Sequence, residues 1–316
     1  MNNAKRKSRV ALLSVISNST LVLLKLAIGI IIGSVSVISE AIHSGVDLVA
    51  AVIALFAVRT SGQPADKEHP FGHGKVENIS GTVEALLIFL AAGWIIFEAI
   101  KKLAHPVALE SVGYGVGVML ISAVANIIVS HMLFKVGKQT DSVALQADAW
   151  HLRTDVYTSA GVMAGLALIW LAEAAFPGVH FHWIDPVAAI LVAMLIIKTA
   201  WKLTIESAQD LLDVSLPAEE EKWICDYLLS IDSPVKGFHK LRTRKAGSDR
   251  FVEFHLLVDP NMSVGDSHDI TEEITRDIRS RYKGYTIVTI HIEPCDGACG
   301  PDCSQAHICA AKNSDD

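Results

Sequence analysis

The chain has 316 residues, 51% of them hydrophobic and only 19% charged, with a formal net charge of -7. A positive mean hydropathy with so few charges argues for a membrane protein that carries a soluble part. The acidic balance, with no basic stripe interleaved with aromatic residues, excludes a nucleic-acid-binding function.

Lys5, Arg6, Lys7 and Arg9 open the chain, ahead of an apolar run over residues 10–33. That run is too long for a signal-peptide core and has no small-residue cleavage site before the next one, so it is predicted to stay as a first transmembrane helix. Further runs follow at 35–58, 79–100, 113–136, 143–171 and 184–204. Each approaches the ~20 residues needed to span a bilayer. The expected architecture is a membrane all-α domain of six helices over 9–213, behind a cytoplasmic tail of 1–8. Lys67, Lys75, Lys135 and Lys138 fall at the same end as the N-terminus, which predicts cytoplasmic termini. Lys101 and Lys102 dissent, but they sit at a helix end, where long side chains reach the interface.

The second and fifth runs carry the chemistry. SEAIHSGVDLVAA holds His43 and Asp47, and DAWHLRTDVYTSA holds His151 and Asp155. At a spacing of i and i+4 each pair shares a helix face, offering an imidazole nitrogen and a carboxylate oxygen to one point. An aspartate near a bilayer centre costs about 2.5–3.5 kcal/mol on insertion scales, so two of them, each matched with a histidine, mark a site. Four such ligands suit a tetrahedral divalent ion, zinc above all. The plainer alternative is that each His and Asp joins helices by hydrogen bonds.

Between runs two and three, SGQPADKEHPFGHGKVE spaces Asp66, His69 and His73 across Pro and Gly turns. They are candidate loop ligands; the alternative is a solvated polar loop. Gly72 and Gly74 flank His73 and favour a tight backbone shape.

From about residue 214 the pattern becomes helix, strand, strand, helix, strand, a cytoplasmic α/β domain over 214–294. Phe251, Glu253 and His255 alternate there with Val252, Phe254 and Leu256, as a strand with one face in requires. His239, His255, His268, His291 and Glu293 fall on neighbouring elements and are candidate metal ligands. Cys225, on the apolar face of the first of these helices, reads as a small core residue. The tail over 295–316 holds Cys295, Cys299, Cys303, His307 and Cys309, soft ligands expected to be reduced thiols in the cytosol. A disordered end is the alternative.

The motifs SEAIHSGVDL, HPFGHGKVE, DAWHLRTDVYTS, LLDVSLP and HKLRTRKAGSDRFVEFHL together resemble the cation diffusion facilitators, the zinc-transporter family of divalent metal/proton antiporters. The resemblance spans nearly the whole chain. It implies a homodimer of six-helix protomers with metallochaperone-like (αββαβ) cytoplasmic domains. It further implies that His43, Asp47, His151 and Asp155 form the transport site and Asp66, His69 and His73 a loop site. His239, His255, His268, His291 and Glu293 fall where members hold a cytoplasmic metal pair, and Lys75 and Asp213 where they hold an interface charge pair. His43 stands where some bacterial members have aspartate, and Glu293 where aspartate is often found. A His/Asp pair on both helices resembles the zinc-selective branch.

The resulting expectation is proton-coupled export of Zn2+ from the cytosol by alternating access, at a bacterial inner (plasma) membrane. A membrane zinc sensor or buffer that binds without transporting is the alternative. An intramembrane zinc hydrolase is disfavoured, because no H-E-x-x-H helix is present and four protein ligands leave no open position for water.

Overall fold

The computed structural model describes residues 3–32, 35–104, 113–175, 183–231, 234–282 and 284–295. Six long helices come first: α1 (Asn3–Ile32), α2 (Val35–Ser61), α3 (Lys75–Ala104), α4 (Gly113–Thr140), α5 (Val143–Ala175) and α6 (Ile184–Leu211). They are followed by α7 (Ala218–Leu229), β1 (Val235–Ala246), β2 (Asp249–Val258), α8 (Val264–Arg281) and β3 (Thr286–Pro294). The chain divides into two compact units between Ala208 and Gln209.

In the first unit, α1, α2, α3, α4 and α6 each contain a stretch long and apolar enough to cross a membrane. α5 is 33 residues long and, Glu173 apart, carries its charged residues in the first half. Several helices run past the apolar segments that announce them; α1 already begins at Asn3, because backbone hydrogen bonding does not stop where the hydrocarbon does.

The burial pattern inverts that of a water-soluble bundle. Ala50, Ala51, Ala54, Ala85, Ala92, Ala144, Ala147 and Ala200 are sealed between helices, whereas Leu23, Ile31, Phe56, Trp94 and Trp201 face outward. Small residues let membrane helices approach closely, and lipid accepts the large apolar ones.

In the second unit a three-stranded sheet runs in the order β1-β2-β3, with β1 and β2 antiparallel and β2 and β3 parallel. Ile224 and Leu228 of α7 and Ile274 and Ile278 of α8 pack with Phe238, Val252, Phe254 and Leu256 of the sheet. Cys225 is buried in this core. α8 starts at a capping serine, Ser263, whose Oγ accepts the Asp266 N–H. Along β2 the alternation holds from Val252 to Leu256, but Phe251 is buried too, beneath the Arg244 guanidinium, which stands 3.9 Å from its ring centre.

β1 is irregular where it matters. Its register shifts between His239 and Arg242, and Lys240 takes φ 54, a left-handed conformation unusual for a side-chain-bearing residue. His239 pairs with His255, and His255 pairs with His291, so three histidines stand abreast across the sheet.

Candidate metal centres

α2 and α5 assemble the intramembrane residues. His43, Asp47 and Asp155 bring ligand atoms within 4.8 Å of one another. His151, outside that group, has its Nε2 3.2 Å from Asp47 Oδ1. Exposure falls along the cluster: His43 is exposed, Asp155 half-buried, and Asp47 and His151 buried. On α2 the buried member of the pair, Asp47, is the one nearer the α2–α3 loop, and on α5 the buried member, His151, is the one nearer the helix start. Arg153 points away, donating to Ser130 Oγ at 3.0 Å and lying over the Phe134 ring. Beside His43, Ser44 accepts a hydrogen bond from the buried Lys25 at 2.8 Å.

Sequence reasoning missed the polar residues that continue from this cluster toward the loop end. Asp148, on α5 before His151, is sealed from solvent, and neither of its carboxylate oxygens has a hydrogen-bond partner among the described residues. Glu84 of α3 is equally sealed; Ser80 Oγ donates to one oxygen at 3.2 Å and the other has no hydrogen-bond partner among the described residues. Glu84 and Asp148 lie within electrostatic reach of each other and of His151.

Beyond them a buried ion pair closes the loop end. Lys7 Nζ is 2.8 Å from Glu77 Oε1, which also accepts from Ser61 Oγ at 2.7 Å, while Ser142 Oγ donates to Glu77 Oε2. One carboxylate thereby ties α1, α2, α3 and the turn before α5. Lys7, read from the sequence as one of four N-terminal positive charges, is in fact buried. The signal available for Glu77 was an acidic residue just ahead of the apolar run over 79–100.

The loop places Asp66, His69 and His73 with ligand atoms within 4.8 Å of one another. Asp66 Oδ1 accepts the His69 N–H at 2.6 Å and the Glu68 N–H at 2.9 Å. Those amides, His69 foremost, hold the Asp66 carboxyl below the usual carboxylate range. Gly72 closes the turn with φ 85 and donates to the His69 carbonyl at 2.9 Å, a conformation that requires glycine.

In the second unit Glu293 is the hub. Its Oε2 lies 2.8 Å from His239 Nε2, and its Oε1 lies 2.7 Å from His255 Nδ1 and 3.5 Å from His291 Nε2. His239, His255 and Glu293 bring ligand atoms within 4.8 Å. The His255 hydrogen bond, helped by that of His239, holds the Glu293 carboxyl below its usual range against the opposing effect of burial. His268 is exposed on α8, outside this group.

Lys75 begins α3 in the first unit. Asp213 belongs to the second, where Arg244 Nη1 lies 3.4 Å from its carboxylate. Cys295 is a half-buried free thiol at the end of β3. Cys299, Cys303, His307 and Cys309 lie outside the described residues.

Residues 11–212 match the family described as Cation efflux transmembrane domain, and residues 216–295 match that described as Cation efflux protein, cytoplasmic domain. The chain belongs to the cation diffusion facilitator family. This cation efflux transporter is 37% identical over 271 residues to the transporter sll1263 of Synechocystis sp., covering 86% of this chain and 85% of the relative. It is 33% identical over 288 residues to the cation-efflux pump FieF of Citrobacter koseri, covering 91% of this chain and 93% of that pump. Part of the chain, 27%, is similar at 34% identity to the structure of a putative zinc transporter CzrB in its Zn form, of which 96% is covered with a TM-score of 0.26. Cation diffusion facilitators are membrane transporters of metal cations rather than enzymes, and this chain has the helices that role needs.

Proposed function

We propose that this transporter carries Zn2+ out of the cytosol in exchange for protons, by alternating access around His43, Asp47, His151 and Asp155. The observation that carries the reading is that His43, Asp47 and Asp155 bring ligand atoms within 4.8 Å of one another from two helices, with His151 in contact with Asp47. Two imidazoles and two carboxylates match the donor set of a tetrahedral zinc ion, and a second imidazole disfavours large, oxygen-preferring ions. The ligands bind metal only when deprotonated, so protons and zinc compete for the same lone pairs. That competition is sufficient to couple the two fluxes.

The gradient of exposure supports one of the two access states. The cluster is most open at His43, and the loop end is closed by Glu77 with Lys7, Ser61 and Ser142. With the termini and loop in the cytosol, this is the state that releases the ion outward. Rocking that breaks the Glu77 knot opens the opposite path.

In the same reading the protein is a homodimer in a bacterial inner membrane, with Lys75 and Asp213 pairing at its interface. The His239–His255–Glu293 group takes regulatory zinc, and the loop group takes an ion on its way to the helices. Domain bounds of 9–213, 214–294 and 295–316 accompany it.

The test uses purified protein in sealed vesicles containing a pH-sensitive dye. Zinc added outside drives proton movement in the wild type, and Asp47→Ala and Asp155→Ala abolish it while leaving the oligomer intact. Zinc binding without any flux in the wild type would identify a buffer or sensor and overturn the proposal.

A further inference from the structure

A groove of about 370 Å³ lies where the start of α1 meets the end of α2, lined by Lys5, Ser8, Arg9, Arg59 and Gly62 with the neighbouring backbone. Among the described residues, three cations and a hydroxyl line it and no acidic residue does. Its shape is built rather than incidental. A Cβ on Gly62 would stand 3.3 Å from Ala4 Cβ, so glycine lets the two helix ends draw together. Arg59 Nε then donates to Ser8 Oγ at 3.3 Å across the gap.

The groove continues as an apolar track. On α1, Leu12 and Ile16 follow Lys5 and Ser8 on one face and are 39% and 54% exposed. On α2, Phe56 and Val52 precede Arg59 on one face and are 65% and 48% exposed. A compact cationic head with two ridges of exposed hydrocarbon leading away from it is the complement of one class of molecule. It has a singly anionic phosphodiester and two acyl chains.

We propose that this groove is a binding site for an anionic phospholipid, holding the phosphate among Lys5, Arg9 and Arg59 and the acyl chains along Leu12, Ile16, Val52 and Phe56. A statistical excess of lysine and arginine on one side of a membrane needs no convergence of those charges. Here Lys5, Arg9 and Arg59 line one groove at the ends of two membrane-length helices, and each basic residue near an anionic surface contributes about 1 kcal/mol to binding. The inference is independent of which metal is carried and of whether protons drive it.

The experiment is lipid retention by the full-length protein, read by native mass spectrometry after exchange into detergent with phosphatidylglycerol or phosphatidylcholine. Wild type is expected to keep one phosphatidylglycerol in preference to phosphatidylcholine and to gain thermal stability from it. Lys5→Gln with Arg59→Gln should weaken retention about thirtyfold. Arg59→Lys should keep most of it. Lys135→Gln with Lys202→Gln removes two exposed lysines outside the groove and should change little. Three results overturn the proposal: equal loss in both double variants, equal retention of the two lipids, or displacement by millimolar inorganic phosphate, which would mark a soluble-anion site. Should the groove variant unfold, loss of the phosphatidylglycerol-dependent rise in Tm in Arg59→Gln alone reads the same contact.

Discussion

His151 Nε2 stands 3.2 Å from Asp47 Oδ1, both side chains almost sealed, so that α5 rests directly on α2 through two prospective ligands. His43, the exposed member, is the ligand most open to exchange of chemistry. Replacing its imidazole with a carboxylate adds a hard oxygen and a negative charge. His43→Asp is therefore expected to raise transport of manganese relative to zinc. Competition assays across a panel of ions in vesicles measure this, and an unchanged preference order would remove His43 from the selectivity site.

Asp148 presents the opposite case, a sealed carboxylate with only the Ser14 hydroxyl and the field of His151 to favour its charge among the described residues. A buried charge without a partner destabilises a fold, and its replacement by a neutral isostere relieves that cost. Asp148→Asn is expected to raise Tm while lowering zinc flux, the signature of a residue kept for passage of cations rather than for stability. Thermal unfolding in detergent and flux in vesicles are measured on the same preparation. A fall in both would mean that Asp148 is structural.

The Lys7–Glu77 pair is buried and hydrogen-bonded, with Ser61 and Ser142 sharing the carboxylate. Removing one member of such a pair leaves the other charge uncompensated and costs about 3–5 kcal/mol. Lys7→Met should destabilise the protein by roughly that much, and Lys7→Met with Glu77→Gln by clearly less. A double-mutant cycle on chemical unfolding reads the difference. Additive effects would show that the two side chains do not act as a pair.

What the sequence discloses of these sites follows from how local each one is. His43 with Asp47 and His151 with Asp155 are legible because i,i+4 spacing places two residues on one helical face whatever the rest of the fold does. The helix–strand order of the second unit is legible for the same reason. That His239, His255 and His291 stand abreast is not, since their register passes through an irregularity at Lys240, where nothing in the residue type announces a left-handed backbone. Lys7 and Glu77 lie 70 positions apart, and only packing joins them. Glu84 and Asp148 were hidden among apolar neighbours, where burial of an unmatched acid is a property of the assembled bundle.

Glu293 gives the second unit a pH dependence whose sign is fixed. Hydrogen bonds from His255 and then His239 favour its ionised form and lower its pKa from the ordinary 4.5. A carboxyl lowered on folding contributes stability that is fully present above its unfolded pKa and is lost as pH falls through the folded one. In metal-free protein, protection of β2 amides from hydrogen exchange is therefore expected to decline below pH 4.5. Glu293→Gln cannot titrate and should show a weaker decline over that window, along with weaker zinc binding at neutral pH because a ligand oxygen is lost. Matched acid profiles in the two proteins would show that the carboxylate at the hub of the three histidines does not help to hold the sheet.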